Sequence, residues 1–203
     1  MFTVTKTIEH YSEKARHYYD LYNSVEAESV HSNWKAFLQT AKKGNALDVG
    51  AGSGRDANWL AEQGWKVTAA EPADELRNLA QANSHNSVTW CNASLPALNA
   101  LPQQPKTYDL ILLSAVWMHL PEVERPPALK RLAELLSENG AMYISLRFGP
   151  NDEARPMHPV SYEELATLAE SNDLKARNLN PVPGKDGLQR DDVKWVTVEV
   201  VKG

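Results

Sequence analysis

The sequence predicts an α/β fold in which helices and strands alternate around a mostly parallel sheet. A short apolar run at residues 46–49 leads directly into a turn with glycine at every second position. Further short apolar runs recur along the chain, and most are followed by an amphipathic helical pattern. The last two runs, 174–179 and 194–201, are close enough in sequence to pair as an antiparallel hairpin at the sheet edge.

Two helices are expected before the first strand, and together they form a helical cap. Residues 7–22 carry an aromatic stripe at helical spacing that includes Tyr11. The stripe is compatible with simple packing on the domain and with a lid whose phenols line a pocket, so both interpretations stay open. A second amphipathic pattern at 25–43 ends at Gly44, a residue typical of helix C-termini. The cap is therefore expected over residues 1–43.

Residues 44–203 are expected to form the core of a single domain that covers 1–203. The predicted strands are 46–49, 66–70, 87–91, 109–114, 141–146, 174–179 and 194–201. The near-continuous apolar run at 109–114 suits a central parallel strand that is covered on both faces. The predicted helices include one that ends at Gly64, one capped by Asp74, one over 126–137 closed by Gly140, and one that opens at the capping box Ser161–Glu164.

Composition narrows the class of protein. The chain has 203 residues and a formal net charge of −5, which gives no electrostatic footprint for nucleic acid, although a local basic patch would be compatible with it. No apolar run is long enough for a membrane span, and the N-terminus lacks a signal-peptide layout. The lone Cys91 argues against disulfides and thiolate metal sites, and the histidines show no metal-ligand spacing. We expect a cytoplasmic protein without a metal.

The glycine turn is the strongest chemical motif in the chain. Its pattern is Asp48-x-Gly50-x-Gly52-x-Gly54 at the junction of a strand and a helix. Glycine permits positive φ and removes the Cβ that would keep a ligand from the backbone, and the helix that follows offers unpaired N–H groups. The spacing differs from the G-x-G-x-x-G dinucleotide fingerprint, and no P-loop lysine follows. Taken alone, the turn is equally compatible with a purely structural role.

Two later segments are expected at the same edge of the sheet. Glu71 ends the second predicted strand, whose tip lies beside that of the first strand in a doubly wound sheet. A carboxylate there can accept hydrogen bonds from both hydroxyls of a ribose. Asn92-Ala93-Ser94 follows the third strand, where an amide and backbone N–H groups can read a purine edge. Together these segments indicate a nucleoside site.

In this order the motifs resemble those of the class I S-adenosylmethionine (SAM)-dependent methyltransferases. The first motif, Glu71, the Asn92 segment, and Tyr108–Ile111 with Trp117–Leu120 carry the resemblance over roughly residues 35–203. The family implies a Rossmann-like, seven-stranded, mostly parallel sheet of order 3-2-1-4-5-7-6, with strand 7 antiparallel and helices on both faces. It also implies SAM as cofactor and S-adenosylhomocysteine as product.

The resemblance implies a role for each matching position at the cofactor. Asp48 would lie near the amino group of the cofactor, with its methionine part along Gly50, Ala51 and Gly52, and Glu71 would hold the ribose. The remaining implied contacts are Arg55 and Asp56 after the turn, Pro72, Asn92, Ala93 and Ser94 around the adenine, and Ser114 near the sulfonium. Trp117 is expected either to form a wall of the substrate or adenine pocket or to pack in the core. Asn92 departs from the acidic residue usual in the family, but its amide oxygen can still accept a hydrogen bond.

Three residues are candidates for the chemistry. Orientation alone can lower the barrier of an in-line displacement by roughly 7–11 kcal/mol, so a base is needed only if the acceptor arrives protonated. His119 follows the fourth strand and is the candidate base, because histidine titrates near neutral pH. Arg147 ends the fifth strand and is either a ligand for an anionic group or a solvated side chain. Tyr11, on the predicted cap helix, is the third candidate.

The favoured function is direct, in-line methyl transfer from SAM to a small-molecule acceptor, because no large insertion is available to grip a macromolecule. An RNA or protein methyltransferase remains an alternative. A non-catalytic SAM-binding regulatory protein is an alternative from another class. A nicotinamide oxidoreductase is disfavoured by the glycine spacing. The expected state is a monomer or a homodimer.

Overall fold

A computed structural model describes residues 2–101 and 107–203 of the chain. The helices are α1 (Phe2–Glu13), α2 (Ala15–Asn23), α3 (Ala27–Val30), α4 (Lys35–Thr40), α5 (Arg55–Glu62), α6 (Asp74–Ala82), α7 (Arg125–Leu135) and α8 (Tyr162–Glu170). The strands are β1 (Asn45–Val49), β2 (Lys66–Ala70), β3 (Val88–Cys91), β4 (Tyr108–Leu113), β5 (Leu136–Phe148), β6 (Leu174–Asn178), β7 (Gly184–Lys185) and β8 (Lys194–Lys202). No helix in these ranges is long and apolar enough to cross a bilayer.

The strands form one sheet of order β3-β2-β1-β4-β5-β8-β6. The first five strands of this order pair in parallel, whereas β8 is antiparallel to both β5 and β6. The two-residue β7 also pairs with β8. The predicted topology is therefore confirmed, and the strand expected as the seventh is the eighth because β7 is additional. This order places the carboxyl ends of the parallel strands along one edge, where ligands bind in such sheets.

Helices cover both faces of the sheet because alternate side chains of each strand point to opposite sides. On one face, Leu47 and Ile111 join a cluster with residues of α7 and α8, such as Leu129 and Leu165. On the other face, neighbouring positions such as Leu110 pack with residues of α4 and α5. Asp48 belongs to that second face, so its carboxylate lies on the side of the sheet that α5 covers.

The cap differs from the sequence prediction. The helix expected at 7–22 is interrupted at Lys14, which has φ −105° and ψ 23°. The helix expected at 25–43 is split into α3 and α4 by a turn. Tertiary contacts explain that turn, because Trp34 stacks on Tyr143 with ring centroids 4.3 Å apart and His31 Nε2 lies 3.0 Å from Asp56 Oδ2.

Two predicted helix stops have other roles. The last helical residue of the cap is Thr40, and Gly44 lies beyond it at the start of β1, where a Cβ would overlap the carboxylate of Asp109. Gly140 lies inside β5, because α7 ends at Leu135 and the strand begins at the next residue. Both glycines are therefore sites of close packing rather than helix C-caps.

The predicted N-caps had mixed outcomes. Ser161 caps α8 as expected, with its hydroxyl accepting the Glu164 N–H at 3.1 Å. Asp74 was wrongly assigned as an N-cap, because it is the first residue of α6 and the cap position is Ala73. Glu71 accepts the N–H of Ala73 itself at 2.8 Å, and the N–H of Glu75 in the first turn of α6 donates to Ser12 Oγ at 3.0 Å. The start of α6 is thereby tied to the tip of β2.

Candidate functional site

The carboxyl ends of β1, β2, β4 and β5 open on a cavity of about 710 Å3. Residues of α1, α2 and α3 also line it, so the cap forms one wall of the cavity. Most of the residues that the sequence singled out meet here. Those that line the cavity are Tyr11, Gly50, Ala51, Gly52, Arg55, Asp56, Glu71, Pro72, Ala93, Ser94, Ser114, His119 and Arg147.

The glycine turn takes a backbone path that other residues adopt at a cost. Gly50, Gly52 and Gly54 have φ values of 66°, 53° and 77°, in the left-handed region. The Gly50 N–H donates to the Ala70 carbonyl at 2.7 Å, which fixes the turn against the end of β2. A Cβ on Gly50 would lie 2.6 Å from Val116 Cγ2. Glycine is therefore required at this position both by the backbone angle and by space.

The Glu71 carboxylate joins the glycine turn to the segment that follows β2. Its Oε2 accepts the Gly52 N–H at 2.8 Å, and its Oε1 accepts the Ala73 N–H at 2.8 Å. Burial raises the pKa of Glu71, and these two N–H groups, with the charge of Arg77, counteract part of that increase. Each carboxylate oxygen has further acceptor capacity. The residue can therefore hold the turn in place and still accept hydrogen bonds from ligand hydroxyls.

Asp48, the first residue of the glycine motif, has a buried carboxylate that is incompletely hydrogen-bonded. Its side chain is 1% exposed, and its Oδ2 has no hydrogen-bond partner within the described residues. Burial raises the pKa of Asp48 well above its ordinary value; the nearby Asp56 and Glu71 add to the increase and Arg55 opposes it. An unpaired buried carboxylate is costly, and a cationic group beside it would remove that cost. The position thus fits a ligand ammonium group.

Arg55 and Asp56 are mainly occupied with each other. Arg55 Nε donates to Asp56 Oδ1 at 2.7 Å, and His31 Nε2 lies 3.0 Å from Asp56 Oδ2. Burial alone would raise the pKa of Asp56, but Arg55 and His31 together hold it below its usual range. This buried cluster ties the turn after α3 to the start of α5. It braces the glycine turn, and no spacing in the sequence pointed to His31.

Three predicted cofactor contacts do not line the cavity. Asp48 is buried in β1, ahead of the glycine turn, so its side chain lies off the cavity wall. Trp117 is fully buried in the main hydrophobic core and does not line the cavity, because the short 3-10 turn at 117–119 directs its indole inward. Asn92 is exposed and its amide donates to Asp74 Oδ1 at 3.1 Å, so this side chain also lies off the cavity wall. Ala93 and Ser94, which follow it, form that part of the wall.

His119 and Tyr11 meet at the cavity although they are far apart in the chain. Tyr11 Oη lies 3.4 Å from His119 Nε2, and His119 Nδ1 lies 3.1 Å from the Pro156 carbonyl oxygen. A carbonyl oxygen only accepts, so Nδ1 carries the proton and Nε2 presents a lone pair. Burial lowers the pKa of His119 to about 4, with the charges of Arg155 and Arg147 acting in the same direction. The imidazole is therefore neutral at physiological pH and accepts at Nε2, and it is a weaker base than the near-neutral histidine expected from the sequence.

Arg155 holds this part of the site together, and no pattern in the sequence identified it. Its Nη1 donates to Tyr11 Oη at 3.0 Å and to Tyr22 Oη at 3.2 Å. Its Nε donates to Asp152 Oδ2 at 2.8 Å, and its guanidinium lies 5.3 Å from the ring centroid of Tyr18. The loop after β5 is thereby joined to α1 and α2. Tyr22 was detectable as part of the aromatic stripe, whereas Arg155 stands in a segment without a pattern.

Comparison with known proteins agrees with this geometry. A family model described as a methyltransferase domain matches residues 22–179. The chain belongs to this methyltransferase family. The matched range includes the glycine turn, Glu71 and His119, and it leaves out α1 and β8. Tyr11 therefore lies outside the part that the family model describes.

Curated relatives of the methyltransferase are similar over part of their length. An uncharacterised methyltransferase of Alkaliphilus oremlandii is 28% identical over 143 residues, which are 68% of this chain and 62% of that protein. One of Staphylococcus carnosus is 27% identical over 108 residues, 53% of this chain and 49% of that protein. The chain thus spans between about half and three fifths of these two relatives.

A solved structure shows the same fold. The 1,6-didemethyltoxoflavin-N1-methyltransferase of Burkholderia thailandensis, with bound 1,6-didemethyltoxoflavin and S-adenosylhomocysteine, aligns with a TM-score of 0.74. The alignment covers 98% of this chain and 88% of that one at 20% identity. At this identity the likeness concerns the fold.

Within residues 2–101 and 107–203, no group of three or more His, Cys, Asp or Glu side chains is placed to hold a metal.

Proposed function

We propose that this chain is a SAM-dependent methyltransferase that transfers the methyl group in-line to a small-molecule acceptor. The observation that carries the proposal is the unpaired, buried Asp48 Oδ2 beside a turn whose glycines leave the backbone open, with Glu71 at the same cavity. Asp48 supplies a carboxylate for the ammonium group of SAM, and the glycine turn leaves open backbone for its methionine chain. Glu71 supplies a carboxylate for the ribose hydroxyls. The S-adenosylhomocysteine in the Burkholderia structure supports the assignment.

The proposed cofactor site uses residues that line the cavity, together with Asp48, which is buried at the end of β1 and does not line it. Asp48 pairs with the amino group, and the methionine part lies against Gly50, Ala51 and Gly52. Glu71 accepts the ribose hydroxyls, with Pro72, Ala93 and Ser94 around the adenine. Ser114 lies at the end of β4 towards the sulfonium, and Arg55 with Asp56 supports the turn from behind.

Bound SAM supplies a methyl group that is already activated by a sulfonium. The chain then has to align the acceptor atom with the S–CH3 bond, and it has to remove a proton if the acceptor is protonated. The new bond forms from the acceptor lone pair to the methyl carbon, and the electrons of the broken C–S bond stay on sulfur. His119 Nε2, with its free lone pair, takes the acceptor proton. Tyr11 Oη, 3.4 Å from that nitrogen, holds the imidazole edge in place.

The cavity favours a small acceptor over a macromolecule. Its outer wall is made by α1 and α2, and Arg155 fastens these helices to the loop after β5 by hydrogen bonds to Tyr11 and Tyr22. A polymer substrate would need this wall to open. The Burkholderia structure, whose bound acceptor is a small molecule, supports the same assignment.

Calorimetry followed by a transfer assay tests the proposal. SAM and S-adenosylhomocysteine should both bind to the wild-type chain, and NAD should not. Asp48→Asn should weaken SAM binding at least about tenfold, since a hydrogen bond to a charged group contributes roughly 1.5–3 kcal/mol. The exposed Asp173→Asn, at the far end of α8, is the matched control and should bind as the wild type does.

The transfer assay then separates an enzyme from a binding protein. Methyl-labelled SAM is incubated with a broad panel of hydroxy and amino compounds of low molecular mass. Label in one of these compounds supports the proposal. Tight SAM binding with label only in added RNA or protein would contradict the small-molecule assignment. Binding without any transfer would favour a regulatory SAM-binding protein.

A further inference from the structure

Among the described residues, the arginines that line the cavity are paired with carboxylates, with one exception. Four arginines among the described residues line the cavity, and three of them are paired with a carboxylate. Arg55 is paired with Asp56 at 2.7 Å, and Arg155 Nε with Asp152 Oδ2 at 2.8 Å. Arg190 donates from Nε and Nη2 to the two oxygens of Asp186, both at 2.8 Å. The fourth is Arg147.

Arg147 is buried without an anion. Its side chain lies at the carboxyl end of β5 and the residue is 9% exposed. Nη1 donates to the Pro150 carbonyl at 2.9 Å, whereas Nε has no partner, and no carboxylate of the described chain lies within 4.0 Å of the guanidinium. Burial lowers the pKa of Arg147 and the charges of Arg190 and Arg155 add to that effect, whereas the more distant carboxylates of Asp186 and Asp192 oppose it. A buried charge without a partner costs several kcal/mol.

The cavity offers the place where that charge can be balanced. Ser145 and Arg147 share a face of β5, and both line the cavity beside His119. We infer that the methyl acceptor carries a carboxylate group, which binds the guanidinium of Arg147 while the atom to be methylated faces His119. This inference rests on the proposed methyl transfer and names its class of substrate. Guanidinium and carboxylate match as planar, bidentate partners, and one carboxylate would balance the one buried guanidinium at the cavity that has no anion among the described residues.

The carboxylate of the cofactor is the competing partner. The strand order argues against it, because β4 lies between β1 and β5. At about 4.8 Å between neighbouring strands, the tip of β5 is roughly 10 Å from the glycine turn that follows β1. Asp48 and the turn hold the methionine part at β1, so Arg147 is left to the acceptor side of the cavity.

Binding of matched probes in the presence of S-adenosylhomocysteine tests the inference. The probes are benzoate and the three monohydroxybenzoates, each compared with its neutral amide of nearly equal shape. The proteins are wild type, Arg147→Gln, Arg147→Lys, and Arg177→Gln as a control, since Arg177 is exposed on β6. Thermal unfolding first checks that every protein is folded, and S-adenosylhomocysteine is then titrated into each.

The expected result is a preference for a carboxylate over its amide by about tenfold or more in the wild type, as for hydrogen bonds to charged groups. Arg147→Gln should abolish the preference, Arg147→Lys should restore part of it, and Arg177→Gln should leave it unchanged. S-adenosylhomocysteine should bind all four proteins equally.

Three outcomes would overturn the inference while leaving the proposed function intact. These are equal binding of every acid and its amide by the wild type, an unchanged preference in Arg147→Gln, and a loss of S-adenosylhomocysteine binding in Arg147→Gln with Arg177→Gln unaffected. The last would assign the guanidinium to the cofactor. Failure of the wild type to bind S-adenosylhomocysteine would instead refute the proposed function, and the inference with it.

Discussion

The two sides of the cavity are built in different ways. The cofactor half, defined as residues 48–56 and 71–73, consists of two short segments at the tips of neighbouring strands. Its parts are joined largely by the backbone, as in the Gly50 N–H to Ala70 carbonyl bond of 2.7 Å and the Gly52 N–H to Glu71 bond of 2.8 Å. The acceptor half, defined as Tyr11, Tyr22, His119, Arg147 and Arg155, comes from four separate parts of the chain. There side chains make nearly all the contacts.

The difference has a physical consequence for function. A strand that turns into a helix fixes its own backbone within a few residues, so the cofactor half has little freedom to vary. The acceptor half depends on how α1 and α2 dock, because Arg155 reaches across to Tyr11 and Tyr22. We infer that binding of the cofactor and choice of the acceptor can be changed separately. The predictions that follow test this separation.

The largest effect is expected in the acceptor half. His119→Ala should lower kcat by about 10²–10⁴-fold, the usual contribution of a general base, and leave SAM affinity unchanged. Because the pKa of His119 is about 4, the wild type should keep this base in its neutral form until the pH falls close to that value. Calorimetry and a pH-rate profile measure both quantities. The exposed His85→Ala is the control, and full activity of His119→Ala would remove the residue from the mechanism.

A smaller effect, on SAM affinity rather than on kcat, is expected in the cofactor half. Glu71→Ala removes the acceptor for two N–H groups and for the ribose, so SAM binding should weaken by roughly 100-fold, from about 3 kcal/mol of lost charged hydrogen bonding. Titration with SAM measures it, with the exposed Glu75→Ala at the start of α6 as the matched control. Unchanged SAM affinity in Glu71→Ala would refute the ribose assignment.

The smallest effect compares two glycines with positive φ. Gly50→Ala and Gly64→Ala should each lose about 1 kcal/mol of stability from left-handed backbone strain. At Gly64 a Cβ has room, 3.8 Å from Lys43 Cγ, whereas at Gly50 it meets Val116 Cγ2 at 2.6 Å. Only Gly50→Ala should therefore also weaken SAM binding. Thermal unfolding and calorimetry on both variants check this, and equal SAM affinity in the two would show that the turn tolerates a side chain.

The sequence could predict the cofactor half because its signals are local. Hydrophobic runs located the parallel strands, and alternate glycines followed by a helix located the turn. Glu71 was identifiable because parallel strands end at a common edge, so its position in the chain fixed its position in space. The errors concern side chains that packing redirects, as with Trp117, which is buried in the core, and Asn92, which is bonded to Asp74.

By itself, then, the sequence determined the strands, their mostly parallel arrangement and the backbone of the cofactor half, and its resemblance to the methyltransferases supplied the strand order. The strands and the turn depend on periodicity, on strand-end geometry and on the conformational freedom of glycine, all of which act over a few residues. Only the tertiary structure decided that Arg155 joins two cap tyrosines, that His31 braces Asp56, and that Arg147 is the one cavity-lining arginine without an anion among the described residues. Such contacts arise between segments far apart in the chain, and whether a charge is paired depends on every group that surrounds it.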